Sequence, residues 1–177
     1  MNIAIVSYSF TGKNDRFAEC LAKELSAELV RIQPKKAVSY GSLTWDLLLQ
    51  RKPAAEPEPE SLQRFELLLF VAPVWMGQVA FPLRAYLAAL KQRPKAYGFL
   101  SISGGADSGN PWIAAELMKR TGREPILVLD QGIRDLLQKE PAPTRDGALK
   151  YQLNAEDCAR ITKRALEQLR KTVPAAF

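Results

Sequence analysis

The sequence predicts a doubly wound α/β domain, a parallel sheet of five strands between two layers of helices. Three observations carry that expectation. Short, continuous apolar runs of the kind buried on both faces of a sheet recur along the chain; amphipathic helical periods separate them; and turn-forming residues lie at the joints. Strands and helices alternating at this spacing call for right-handed crossovers that send successive helices to opposite faces.

The first strand is expected over residues 2–8. Residues 9–14 supply turn chemistry, and Phe17, Leu21, Leu25 and Leu29 then recur at helical spacing. A second strand over 28–33 should stop at Pro34, and a short helix over 42–50 completes that crossover. Residues 53–60 alternate proline with acidic side chains, which reads as an exposed loop that neither packs nor continues a helix. The third strand occupies 67–72, followed by a helix over 81–91, and the fourth occupies 97–103. Asn110 and Pro111 read as the N-cap and first residue of a helix ending near Gly122. A fifth strand spans 125–130. Residues 131–153 have no clear period and read as an irregular surface insertion near the ligand. Asn154 then caps a last helix whose first turn carries Glu156 and Asp157 and whose last carries Arg170 and Lys171, both favourable to the macrodipole.

Composition limits what such a domain can do. A chain of 177 residues, 47% apolar and 25% charged, is expected to form one packed domain over 1–177 rather than a disordered segment. No apolar run approaches the roughly 20 residues of a membrane span. Met1 leads into the first strand with no basic stretch before it, so the expected compartment is the cytoplasm. Cys20 and Cys158 fall in separate helical segments and read as buried structural thiols, giving neither a metal-ligand spacing nor a disulfide framework. Histidine is absent, which removes the commonest general base and transition-metal ligand and shifts any chemistry onto a cofactor. The net charge of +6 points to an anionic partner such as a dinucleotide, an acidic protein or a lipid surface; nucleic acid is not expected.

Ligands of open α/β sheets bind beyond the carboxyl ends of the strands, where strand order reverses, so the loops after strands one, three and four matter most. The first reads Ser9-Phe10-Thr11-Gly12-Lys13-Asn14 and runs straight into a helix N-terminus. Hydroxyls, a glycine and free backbone N–H groups at such a junction form an anion cradle; the plain alternative is a βα turn with polar caps. Neither the GxxxxGK[ST] nor the GxGxxG spacing is present. The second loop, Pro73-Val74-Trp75-Met76-Gly77, places an indole in a loop rather than inside a strand, with a core tryptophan as the alternative. The third begins Ser103-Gly104-Gly105 and has glycines suited to close backbone approach, or is a plain glycine-rich turn.

Residues 8–14 resemble the phosphate loop of the flavodoxin family, about [ST]-x-T-G-x-T, with Ser9, Thr11 and Gly12 matching and Asn14 standing for the last hydroxyl. The resemblance implies a flavodoxin-like three-layer fold of strand order 2-1-3-4-5. It also implies that FMN is bound by Ser9, Phe10, Thr11, Gly12, Lys13 and Asn14 at the phosphate, where the Asn14 amide serves as a donor. Pro73, Val74, Trp75, Met76 and Gly77 would lie at the isoalloxazine ring, and Ser103, Gly104 and Gly105 at its pyrimidine edge. Trp75 would then stack on the ring, and the Met76-Gly77 peptide would turn its carbonyl toward N5-H and tune the redox potential. A second covering aromatic, usual in the third loop of the family, is missing; the nearest is Trp112. The cysteine cluster of iron-sulfur flavoproteins and the aspartate pair of response regulators are also missing.

The expected function is an FMN-dependent oxidoreductase that passes electrons from NAD(P)H to a quinone or similar small acceptor. A one-electron carrier docking on an acidic redox protein, and a flavin-free binding protein that kept the fold, are the alternatives.

Overall fold

The structure, a computed structural model, describes residues 1–35, 54–103, 110–137 and 144–174. In chain order its strands are β1 (Ile3–Ser7), β2 (Glu28–Arg31), β3 (Gln33–Pro34), β4 (Ala55–Glu56), β5 (Leu67–Val71), β6 (Val74–Trp75), β7 (Gln78–Val79), β8 (Ala96–Ser103) and β9 (Leu127–Gly132). Five of them form a parallel sheet in the order β2-β1-β5-β8-β9, which is the expected 2-1-3-4-5 when only the sheet strands are counted. The other four pair antiparallel, β3 with β4 and β6 with β7.

Side chains alternate across the sheet and divide the core in two. Ile3, Ile5, Leu69 and Leu100 point to a face covered by α1 (Lys13–Glu24) and the C-terminal helix Ala155–Thr172, which contribute Phe17, Leu21, Ile161 and Ala165. Ala4, Val6, Phe70 and Phe99 point to the other, covered by α2 (Arg84–Gln92) and α3 (Ile113–Thr121) with Leu87, Leu90 and Leu117. Two short helices, α4 (Ile133–Leu137) and α5 (Arg145–Lys150), lead to the C-terminal helix, hereafter α6. No helix among the described residues is long and apolar enough to cross a membrane.

Several local expectations are corrected. The first helix ends at Glu24, and Leu29 belongs to β2; it keeps its place against the same core because Leu25 and Leu29 both pack on it after the chain reverses. Pro34 does not end the pairing, since Gln33 and Pro34 turn out of the sheet and pair with Glu56 and Ala55. The stretch is exposed at Ala54, Glu56, Glu58 and Glu60, as expected, but it is anchored at two points: Ala55 is buried and the Pro57 carbonyl accepts a hydrogen bond from the Tyr86 hydroxyl. The described parts of 131–153 are not irregular, for Gln131 and Gly132 finish β9 and Ile133, Leu136, Ala148 and Leu153 join the core; residues 138–143 lie outside the described residues. Asn110 caps the turn before α3 by accepting from the Trp112 N–H, so the helix itself begins at Ile113. The helix expected over 42–50 lies outside the described residues.

Cys20 and Cys158, remote in sequence, line one cavity between α1 and α6. Cys158 is buried and Cys20 only half-buried; burial and the neighbouring Cys20 thiol push the Cys158 thiol up to about 12, so Cys158 is a poor nucleophile at neutral pH.

Candidate functional site

Because β1, β5 and β8 run parallel, the loops leaving them emerge at one end of the sheet. The first is pinned from both sides. The Tyr8 N–H donates to the Val71 carbonyl at 3.0 Å, and the Ser7 hydroxyl donates to Asp15 at 2.9 Å. The turn between them closes through Gly12, whose φ of 85° lies in the left-handed region, and a Cβ there would meet no atom of the described residues within 4 Å. Gly12 therefore both permits the turn and leaves open space beside the first turn of α1, whose leading N–H groups have no intrahelical partner. Ser9 Oγ, buried, has no hydrogen-bond partner among the described residues. Thr11 is exposed, and the ammonium of buried Lys13 stands 3.4 Å from its hydroxyl, with burial lowering the lysine's pKa.

Asn14 is placed differently from its expected role. Its Oδ1 accepts from the Ile102 N–H at 2.9 Å and its Nδ2 donates to the Ile102 carbonyl at 3.1 Å. The amide mimics a strand neighbour and ties α1 to the end of β8, which uses its Oδ1 and one of its two side-chain N–H groups.

The second loop is a tight antiparallel hairpin rather than an open loop. Val74 pairs with Val79 and Trp75 with Gln78 across a two-residue turn, with φ of 49° at Met76 and 77° at Gly77, the pattern of a type I′ turn. Pro73, Val74 and Trp75 are half-buried, and Met76 at the tip is 82% exposed. The indole of Trp75 joins an aromatic cluster that bridges the first two loops: Tyr8 lies edge-on at 5.8 Å, Phe10 edge-on at 6.0 Å and Phe81 tilted at 5.3 Å. Trp75 is thus half-buried and packed against the core on that face of the sheet.

At the third loop, Ser103 ends β8 half-buried, while Gly104 and Gly105 lie outside the described residues. Where description resumes, Asn110 closes on the hairpin, its Nδ2 3.4 Å from where a Cβ on Gly77 would stand. The Asn110 N–H donates to Asp130 at 2.8 Å. Burial pushes the Asp130 carboxyl up, opposed by that N–H and by the nearby Ser101 and Ser103 hydroxyls; its Oδ1 has no partner of good geometry among the described residues. Trp112 is 74% exposed at the entrance to α3. Tyr8, Phe81, Asn110 and Asp130 were not singled out as site residues from sequence. Tyr8 and Phe81 had only their closeness to the two motifs to mark them, and Asp130 only its place at the end of the expected fifth strand.

No protein-family model matches the sequence, and no curated protein matches it significantly. Solved structures do. A flavoprotein from Lactobacillus acidophilus in complex with FMN superposes with a TM-score of 0.59 at 19% identity, covering 73% of this chain and 93% of that one. A flavodoxin from the domain Archaea superposes with a TM-score of 0.54 at 12% identity, covering 97% and 99%. The chain has the flavodoxin-like fold. A flavone reductase also shares this flavodoxin-like fold, with a TM-score of 0.50 and 16% identity, all of this chain matching 65% of that one. In flavodoxin-like sheets the point of strand reversal falls between the first strand and the third in sequence, here β1 and β5. The cradle at Gly12 and the hairpin at Trp75 stand at that point.

Proposed function

We propose that the chain binds FMN without a covalent bond at the ends of β1, β5 and β8 and works as a flavodoxin-like oxidoreductase, drawing electrons from NAD(P)H for a quinone or similar small acceptor. The observation that carries the reading is the open cradle at Gly12, with the buried Ser9 hydroxyl lacking a partner among the described residues beside it. Free N–H groups and a hydroxyl at a helix N-terminus suit a phosphate monoester. The FMN-bound flavoprotein of similar fold supports the choice of anion.

In this reading the hydroxyls of Ser9 and Thr11 and the leading N–H groups of α1 hold the phosphate, with the Lys13 ammonium beside them, 3.4 Å from the Thr11 hydroxyl. Phe10, Val74 and the partly open side of Trp75 receive the ring, while Gly77 and Ser103 flank it. The chemistry supplied by bound FMN is the acceptance of a hydride from NAD(P)H and the return of two electrons to the acceptor. Tyr8 is no proton source at neutral pH, because burial and the Asp15 carboxylate push its phenol up to about 12. Protons for a reduced quinone would come from solvent. The excess of basic residues suits a dinucleotide donor; an acidic redox protein is the partner of the alternative, carrier role.

The test is the affinity of the purified chain for FMN and for riboflavin, followed by the fluorescence quenching of Trp75. FMN should bind far more tightly, and Thr11→Ala should weaken FMN by about 1–2 kcal/mol while leaving riboflavin almost unchanged. Equal affinity for the two flavins removes the phosphate cradle; no flavin binding at all leaves a flavin-free binding protein. Anaerobic mixing of the FMN-loaded chain with NADPH and with NADH separates the roles. Bleaching within seconds and reoxidation by a quinone supports the enzyme, whereas no reduction by either nucleotide favours the electron carrier.

A further inference from the structure

Where α1 packs on α6, the two helices leave a cleft of about 480 Å³ between them. Arg16 and Cys20, one turn apart on α1, line one wall, and Cys158 and Thr162, one turn apart on α6, line the other. Both thiols are therefore presented to one space. Cys158 stands opposite the turn from Arg16 to Cys20, within hydrogen-bonding reach of both side chains. Ala155 and Ala159, beside it on the cleft wall, are too small to stand between the two sulfurs. Cys20 is half-buried and so open to a small reagent, whereas Cys158 is 1% exposed and is met only through the cleft. The Thr162 hydroxyl, 3% exposed, has no hydrogen-bond partner among the described residues and can bond a small polar molecule that enters.

We propose that Cys20 and Cys158 form a reversible disulfide that joins α1 to α6, with hydrogen peroxide as the oxidant and Cys20 as the thiol that meets it first. The Cys20 thiolate attacks one peroxide oxygen, the O–O bond breaks, and the hydroxide that leaves takes a proton to become water, so that Cys20 becomes a sulfenic acid. The Cys158 sulfur then attacks the Cys20 sulfur. The S–S bond forms as the S–O bond breaks, and the departing hydroxide takes up the proton that Cys158 gives up. Two thiols lose two electrons and two protons, and one peroxide is reduced to two waters.

The roles follow from placement. Burial keeps the Cys158 thiol protonated and makes it slow against reagents in solution, but its position beside the Cys20 sulfur replaces a bimolecular encounter by an intramolecular one. The Arg16 guanidinium favours the Cys158 thiolate as it forms. No residue assigned to FMN lines the cleft, so the bond does not depend on flavin binding.

The test is treatment of the folded full-length chain with a small excess of hydrogen peroxide, alkylation of the remaining thiols, and peptide mapping without reduction. A Cys20–Cys158 linked peptide should appear with loss of both free thiols, and dithiothreitol should restore both; this measurement needs no substitution. In Cys158→Ala the Cys20 sulfenic acid should persist and be trapped by dimedone at least about tenfold more than in the parent. In Cys20→Ser, a change at a half-buried position, Cys158 should stay reduced. Unreacted thiols in the treated parent overturn the proposal, as does Cys20 overoxidised to sulfinic acid with Cys158 free. A disulfide that joins two chains through Cys20 overturns it too.

Discussion

Asn14 and Asp130 show how a single side chain acquires a role from what it meets. The carboxamide of Asn14 could donate to a phosphate, but two backbone hydrogen bonds to Ile102 in a buried setting hold it more firmly than one solvent-facing contact would. Asp130 is a half-buried carboxylate inside β9, held by burial above its ordinary value. Its neutral form is favoured in the folded chain, so the associated stability is fully present below the unfolded carboxyl's pKa and is lost as pH rises through the raised folded value. Asp130→Asn keeps an acceptor for the Asn110 N–H and stays neutral. It should be more stable than the parent at neutral pH, with the gap closing on acidification toward the ordinary aspartate value. Urea midpoints across that range check this; a gap that widens toward acid would contradict the assignment.

The hairpin of β6 and β7 is the element on which the candidate site turns. Its two central residues both need positive φ, and only the second is glycine. Met76 adopts that conformation at a cost, since its side chain is 82% exposed and gains little packing in return. Met76→Asn supplies the residue that type I′ turns prefer, and should raise stability by about 0.5–1 kcal/mol, read as a higher calorimetric midpoint. An unchanged or lower midpoint would mean that the turn is held by its neighbours and not by its own preference. The hairpin was not legible as such, because Met-Gly carries a much weaker turn signal than Asn-Gly. The cap at Asn154 was legible, and Asp157, expected only to favour the macrodipole, also bonds back to the Asn154 N–H and completes a capping box.

For the molecule as a whole, the close packing of neighbouring strands and their side chains leaves little room at Gly98 in β8. A Cβ on Gly98 would stand 2.9 Å from Leu69 Cδ2 and 3.3 Å from Leu127 Cβ, side chains of the two flanking strands. Gly98→Ala should therefore cost about 1–3 kcal/mol of stability, measured by chemical unfolding. Because β5 and β8 carry the second and third loops, the same variant should loosen flavin binding; full stability with unchanged binding would show that the sheet yields there. Chain ends that look independent are also joined at this scale. Cys20 and Cys158 share a cavity through the packing of α1 on α6, and Arg160 of α6 donates to the Leu136 carbonyl at the end of α4.

The apolar runs, helical periods and caps determined by themselves the alternation of elements and the fold class, because those signals are local and repeat at the period of the structure they form. They also marked Ser9, Thr11, Gly12, Trp75 and Gly77, whose residue types suit a tight turn, a phosphate or a flat ring wherever they stand. Tertiary structure alone decided the rest. Asn14 found Ile102, Tyr8 and Phe81 closed around Trp75, Arg84 and Arg120 met at Gln78, and two remote thiols became neighbours. Each of these contacts joins segments far apart along the chain, and which segments meet is set by the order of strands and the faces their helices cover, not by any local pattern of residues.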